Sequence, residues 1–221
     1  VKYHMKIKDK NYKRLEACET AGMRAKNLTQ QLLTFSKGGA PVKKVLRLNR
    51  FLEETVEFVL SGSKVEGIYE IPEDSWPVEL DEGQFSQVIH NLVINAVHSM
   101  PDGGVFRVRV KNLDEPDKQI PIDCTNCVEI SLKDEGCGIP KENLSKVFDP
   151  YFTTRKTGSG LGLTTVYSIV KKHNGHIRVE SMEGKGTIFY IYLPASDKTP
   201  EVKSGKPKKK TVKLKKGRVL L

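Results

Sequence analysis

Five short stretches of this sequence hold residues suited to chemistry as well as packing. The first is Gln84, Gln87, Asn91, Asn95 and His98. At 100° per residue these fall within about 80° of one another on a helix. The polar stripe of a surface helix is normally charged, whereas this one is neutral. Amide oxygens are hard donors, suited to Mg²⁺ whose other ligands are anionic phosphates and water. An ordinary solvated face accounts for the same residues. The second stretch, Asp134-Glu135-Gly136-Cys137-Gly138-Ile139-Pro140, closes an apolar strand pattern. A carboxylate at a strand end can accept from an exocyclic amine, and the two glycines let backbone approach a flat ring. Adenine offers an amine where guanine offers an oxygen, so such an aspartate would select adenine. A tight turn is the plainer reading.

The third stretch is Gly158-Ser159-Gly160-Leu161-Gly162-Leu163, running straight into a helical pattern. Glycine N–H groups at a helix N-terminus make an anion site fit for phosphates. The spacing matches neither a Rossmann fingerprint nor a Walker loop, because Leu163 stands where the last glycine would be and no Gly-Lys-Ser/Thr follows. A hinge loop fits as well. Between the second and third stretches, Phe148-Asp149-Pro150-Tyr151-Phe152-Thr153-Thr154-Arg155-Lys156 passes from aromatic to polar and basic. That composition suits a lid with an apolar anchor and cations for phosphate. The fifth, Gly184-Lys185-Gly186-Thr187, is explained fully by a hairpin turn.

These stretches need elements to position them. A helix is expected from Asp81 to Met100, with Phe85, Ile89, Leu92, Val93, Ala96 and Met100 covering the face opposite the amides. Strands are expected at Val42–Leu48, Gly67–Ile71, Trp76–Leu80, Val105–Lys111 and Val128–Asp134. Asn49 is placed to cap a helix reaching about Leu60, and another helix covers about Leu161–His173. His176–Ser181 and Gly186–Leu193 read as a hairpin around Glu183-Gly184. Helices and strands do not alternate strictly, so the fold class is α+β, a two-layer sandwich of mixed sheet on helices. In front of it, residues 10–37 read as one long helix. Its seam of Cys18, Ala21, Ala25, Leu28, Leu32 and Phe35 has alternating three- and four-residue spacing and demands a partner helix.

Composition narrows the function. The chain has 221 residues and a net charge of +10. Ten of its basic residues and a single acid, Glu201, lie between Lys198 and Arg218, so the body is close to neutral. A Lys/Pro/Ser/Thr/Gly tail without aromatics reads as a solvated linker, and no recognition motif supports nucleic-acid binding. No run of 18 apolar residues is present, so a soluble, cytoplasmic piece is expected, with any membrane segment elsewhere in a parent protein. Cys124 and Cys127 form a lone C-x-x-C without a second ligand pair, and reduced thiols are expected there.

Order and spacing carry more than any stretch singly. Asn-Leu-Val-Ile-Asn-Ala (91–96), Asp-x-Gly-x-Gly (134–138), Phe-Asp-Pro-Tyr-Phe (148–152), Gly-Ser-Gly-Leu-Gly-Leu (158–163) and Gly-x-Gly-Thr (184–187) resemble the N, G1, F, G2 and G3 boxes of sensor histidine kinases. They occur in that family's order between about 81 and 193. Ser99, where relatives often carry alanine, is read as a departure of little consequence.

The resemblance implies the Bergerat ATP-binding fold over residues 41–196, preceded by a partial dimerisation helix (1–40) and followed by a basic linker (197–221). It implies ATP and Mg²⁺ as cofactors, with Asn95 as the metal ligand and Asn91 and His98 beside the phosphates as catalytic positions. Asp134 would bind the adenine amine with Thr187 supporting. Gly136 and Gly138 would floor the pocket, with Ile139 alongside. Gly158, Gly160, Leu161 and Gly162 would shape the lid's end, with Arg155 and Lys156 as cations. Gyrase-, Hsp90- and MutL-like ATPases share the fold but have a water-activating glutamate one turn before the metal asparagine. Here that position is Asn91, an amide that cannot act as a base at neutral pH.

The family's acceptor is a histidine followed by Asp or Glu, and none of His4, His90, His98, His173 and His176 is so followed. The long helix, with Leu28–Ser36 typical of it, resembles the second helix of the family's bundle. The first helix is then expected upstream of Val1. Lys216–Leu221 resembles the opening strand of a receiver domain, which would make the parent a hybrid kinase. The implied partners are the acceptor helix of the same or a paired chain, a response regulator or receiver domain, and a second copy in a homodimer. The alternative is a non-enzymatic ATP-dependent clamp or partner-binding module on the same fold.

Overall fold

Leu48, Leu52, Val56 and Leu60 recur every fourth residue and are all buried, which makes helix α1 (Leu48–Leu60) a one-striped helix laid on the core. Its N-cap, Arg47, makes no side-chain capping bond, so packing holds the helix rather than capping. Asn49, the expected cap, lies inside the helix. Its amide instead donates to the Pro72 carbonyl (2.8 Å) and accepts from Ser75 Oγ (2.9 Å), fastening the helix to a loop 23 residues away. Leu52→Ala would open a cavity costing about 2–5 kcal/mol. Helix α2 (Glu82–Ser99) begins one residue later than expected, with Asp81 as its cap: Asp81 Oδ1 accepts from the Gln84 N–H at 3.0 Å, a bond worth about 1 kcal/mol.

The computed structural model describes residues 40–117, 120–155 and 158–199. The expected bundle helix and all but the start of the basic tail lie outside them. Strand β1 (Lys44–Leu46) precedes α1, and β2 (Val65–Glu70) and β3 (Val78–Leu80) follow it. After α2 come β4 (Gly104–Asp114), β5 (Asn126–Asp134), the single turn α3 (Lys141–Leu144), α4 (Gly162–Lys172) and the hairpin β6 (His176–Met182) and β7 (Gly186–Pro194). The strand expected at Val42–Leu48 is only three residues long and pairs antiparallel with β3 in a separate ladder.

The other five strands form one mixed sheet in the order β2-β4-β5-β7-β6, with β2 parallel to β4 and the rest antiparallel. Alternate residues point into one core shared with α1, α2 and α4: Phe106, Val108 and Val110 from β4, Val128, Ile130 and Leu132 from β5, and Phe189, Ile191 and Leu193 from β7. This is the α+β two-layer sandwich that the element order implies. The outer face carries charge and aromatics instead, with Arg178 over the Tyr190 ring (4.2 Å to the centroid) and Glu70 paired with Arg107 at 3.1 Å.

The inward rows matter most for the site. On β5 the row runs Val128, Ile130, Leu132, Asp134; on β7 it runs Thr187, Phe189, Ile191, Leu193, with Leu132 opposite Phe189. Two neighbouring apolar rows therefore end in polar residues at the same edge of the core. One expectation fails at the other end of β5. Cys124 and Cys127 are joined as a disulfide, with Cα atoms 6.3 Å apart, a separation that the backbone bend before β5 brings within bonding range. The expectation of reduced thiols follows from the missing second ligand pair and from compartment, and neither carries this local geometry.

Candidate functional site

Where the apolar rows end, a cavity of about 530 Å³ opens between α2, the loop after β5, residues 152–155 and 158–160, and the start of β7. Its size and mixed lining suit a nucleotide-sized ligand. Ile94, Val147 and Phe189 supply apolar wall, and Asp134, Asn95 and Arg155 supply the charged and polar groups.

Asp134 is 5% exposed, on the inward row of β5. A buried carboxylate must be hydrogen-bonded. Its Oδ1 accepts from the Gly136 N–H at 2.9 Å and from Ser99 Oγ at 3.2 Å, and the Thr187 backbone N–H adds a further bond. Burial pushes its pKa above the usual aspartate value, and these donors hold that rise back. The two glycines after it serve close packing rather than a bland turn. A Cβ on Gly136 would run into the Ser99 side chain. Gly138 has φ +72°, and its Cβ would strike the Met182 carbonyl. The Ile139 N–H donates to Ser181 Oγ (2.8 Å), which also bonds the Gly186 carbonyl (2.8 Å) and Thr187 Oγ1 (3.0 Å). The loop after β5 is thereby locked to the β6–β7 hairpin.

The amide stripe of α2 divides. Asn91, Asn95 and His98 line the cavity, whereas Gln84 and Gln87 do not. Asn91 Nδ2 donates to the Gly162 carbonyl (3.2 Å), tying α2 to the start of α4. Asn95 is gripped by Arg155, whose Nη1 donates to Asn95 Oδ1 (3.1 Å) and whose Nη2 donates to the Asn95 carbonyl (3.1 Å). The same Nη1 lies 3.0 Å from His98 Nδ1. A guanidinium cannot accept, so Nδ1 is the acceptor and the His98 proton sits on Nε2. Burial first, then the Arg155 charge, holds the His98 pKa below its ordinary value.

Gly158, Gly160 and Gly162 lie in the cavity wall, and Gly160, at φ +69°, passes hard against the Tyr151 backbone. Ile139 and Thr187 line the cavity too. Two expected positions do not. Leu161 is buried as the N-cap of α4, and Gly136 sits behind the wall against Ser99. Lys156 lies outside the described residues.

No group of three His, Cys, Asp or Glu side chains poised for a metal exists among the described residues. The donor set fits Mg²⁺ only as a partner of phosphates. Asn95 Oδ1 is a neutral hard oxygen that already attracts a cation, the Arg155 guanidinium.

A family model described as histidine kinase-, DNA gyrase B-, and HSP90-like ATPase matches residues 80–197, which hold the whole of this cavity. The chain belongs to this family. Sensor kinase CckA of Brucella abortus (strain 2308) is 39% identical over 181 residues, covering 77% of this chain and 19% of that protein. Sporulation kinase E of Bacillus subtilis (strain 168) is 32% identical over 181 residues, covering 80% of this chain and 23% of that protein. The chain thus spans about a fifth of the length of these relatives. Among solved structures, the mycobacterial sensor histidine kinase MprB aligns with a TM-score of 0.59 at 27% identity, over 70% of this chain and 98% of that one. The described fold is the ATP-binding catalytic domain of the sensor histidine kinase type.

Within this ATPase domain, sequence reasoning missed two residues. Ser181 bonds both the glycine-rich loop and Thr187, yet a serine in a hairpin strand gives no sign of it. In sequence Ser99 reads as a departure of little consequence, although its one-residue offset from the amide stripe places it at the stripe's edge. No helix among the described residues is long and apolar enough to cross a membrane.

Proposed function

We propose that this domain holds Mg-ATP and delivers its γ-phosphoryl group to a histidine on a kinase bundle helix, as part of a cytoplasmic two-component signalling protein. Asn91 supports this reading most directly. Its amide bonds the carbonyl of Gly162 and so couples α2 to the glycine loop. An amide there holds the phosphate loop but cannot deprotonate water. Transfer then depends on positioning and charge neutralisation. The acceptor's imidazole nitrogen bonds to the γ-phosphorus as the bond to the β,γ-bridging oxygen breaks, and ADP departs.

In this reading Asp134 accepts from the adenine amine, with Thr187 steadying the carboxylate and Gly138 and Ile139 forming the floor beneath the base. Asn95 offers Oδ1 to Mg²⁺, which when bound offsets phosphate charge. Arg155 leaves Asn95 for the phosphates, joined by Lys156, while His98 keeps a neutral imidazole beside them. Gly158, Gly160 and Gly162 bring backbone N–H groups of the α4 N-terminus to the same oxygens. Residues 41–196 form the catalytic unit, 1–40 belong to the dimerisation bundle, and 197–221 link to a receiver domain. A response regulator or that receiver takes the phosphoryl group onward, and a second copy of the chain completes the dimer.

The test uses the full chain with radiolabelled ATP and Mg²⁺. Alone it binds ATP and gains no acid-labile phosphate. Added to a separate bundle fragment bearing a histidine followed by an acidic residue, it labels that fragment, slowly because the tether's effective concentration is lost. Leu28→Asp, on the seam expected from the sequence, stops transfer and leaves ATP binding intact. Release of free phosphate with no label on the fragment would refute the reading in favour of a hydrolysing ATPase.

A further inference from the structure

The last residue of α2, Ser99, is built into the aspartate site more tightly than a spacer would be. Its Oγ lies 2.8 Å from the Ala96 carbonyl and 3.2 Å from Asp134 Oδ1, so its one proton is shared between a helix carbonyl and the buried carboxylate. Its own carbonyl accepts the Cys137 N–H at 3.2 Å. A Cβ on Gly136 would collide with its side chain, so helix end and loop are in contact. Gly136 N–H converges on the same Oδ1 at 2.9 Å. Two donors thus share one carboxylate oxygen, Ser99 from the cavity wall and Gly136 from behind it, and neither of them takes the other oxygen.

We propose that Ser99 is a positioning residue for base recognition: its hydroxyl pins Asp134 by Oδ1 and leaves the second carboxylate oxygen to take the exocyclic amine of the nucleotide. The proposal rests on the reading of Asp134 as the adenine acceptor. An alanine in this place would keep the helix and the Ser99–Cys137 backbone bond, and would leave the carboxylate with the Gly136 and Thr187 backbone donors only. The carboxylate would then be freer to rotate and harder to keep charged. Burial disfavours its ionised form, and the opposing groups are few: Gly136, Ser99 and Thr187 by hydrogen bonds, and Arg155 by charge. His98 and Cys137 are the other titratable side chains lining the same cavity.

The consequence is a pH signature. Only the ionised carboxylate accepts at both oxygens, so nucleotide affinity falls on the acid side as Asp134 protonates. Removing a donor raises that pKa further, so the acid limb moves to higher pH. The experiment is calorimetric titration of ADP without metal into the full chain, wild type and Ser99→Ala, from pH 5 to 8. Ser99→Ala should bind about three- to ten-fold more weakly at pH 8, the scale of one shared bond to a charged group, and its acid limb should shift upward. A variant that binds as the wild type with the same pH profile overturns the proposal. If Ser99→Ala does not fold, Ser99→Cys keeps the shape with a weaker donor and must show the same direction of change.

A double-mutant cycle separates this from the underlying reading. In an Asp134→Asn background, Ser99→Ala should cost nothing further, whereas a purely structural serine would cost the same in both backgrounds and sink the proposal. If Asp134→Asn itself binds ADP as the wild type does, Asp134 does not hold the base. The function reading then fails, not merely the role of Ser99.

Discussion

Replacing Asp134 by asparagine should separate function from stability, with the two moving in opposite directions. The carboxylate sits among donors only: Gly136 N–H at 2.9 Å, Ser99 Oγ–H at 3.2 Å and the Thr187 backbone N–H, to which the proposed function adds the adenine amine as a fourth. An asparagine brings two N–H groups of its own into that ring. With its oxygen kept on Gly136 and Ser99, the amide turns its N–H groups toward the cavity, where the nucleotide's amine would meet a second donor. The nucleotide therefore loses a charge-assisted bond, worth about 1.5–3 kcal/mol, or roughly a ten- to hundredfold rise in Kd. Stability should respond the other way. Burial raises the Asp134 pKa above its value in an unfolded chain, so the folded protein binds this proton more tightly than the unfolded one. The sign follows: folding is favoured below that pKa and loses stability as pH rises through it, because the charged form is the penalised one. Neutral asparagine escapes the penalty, and at pH 8 the variant should melt no lower than the wild type. Calorimetry with ATP, ADP and GTP, together with thermal unfolding at pH 5 and pH 8, reads both effects. Wild-type protein binding GTP as well as ATP, or Asp134→Asn binding ATP unchanged, would refute the reasoning. A large fall in melting temperature would show instead that Asp134 is chiefly structural.

Asn95→Ala should weaken Mg²⁺-dependent ATP binding more than metal-free ADP binding; equal losses, compared by calorimetry, would make Asn95 a packing amide. His98 should titrate below the ordinary histidine range, and Arg155→Ala should move it upward because the guanidinium 3.0 Å away is removed; NMR titration reads this directly. His173 is buried and neutral, donating from Nδ1 to the Ile169 carbonyl (2.8 Å) and accepting the Asp81 N–H at Nε2 (2.9 Å). Burial, first among its causes, depresses its pKa. The stability it contributes is present above about pH 6.5, the unfolded value, and is lost as pH falls below that towards its folded pKa. His173→Ala should cost about 1–3 kcal/mol through the orphaned Asp81 N–H and flatten that acid-side slope in chemical denaturation.

Much of the domain was legible in sequence because local physics writes it there. The apolar repeat of Phe85, Ile89, Leu92, Val93 and Ala96 declared α2 within a residue of its bounds. Val128, Ile130 and Leu132 declared the inward row of β5, and strand alternation then put Asp134 on the core side. The glycines of the 134–138 and 158–163 stretches marked positions where backbone approaches backbone, as Gly138 and Gly160 do.

Tertiary structure decided which of these residues meet. Gln84 and Gln87 share the stripe's angle with Asn91 and Asn95, but the cavity reaches only the helix's C-terminal half, where the sheet register brings Asp134 beneath it. Asn49 has the chemistry of a cap yet lies inside α1, because Pro72 and Ser75 are folded against it. Leu161 sits among the loop glycines but turns into the core. Ser99 and Asp134 are 35 residues apart, and nothing in either neighbourhood encodes their bond. Short-range sterics and hydrophobic periodicity act over a turn or a strand, and so they appear in the sequence as pattern. Contacts across the sandwich depend on strand order, register and helix crossing, which many sequences can satisfy. Those were settled only when the layers closed on each other.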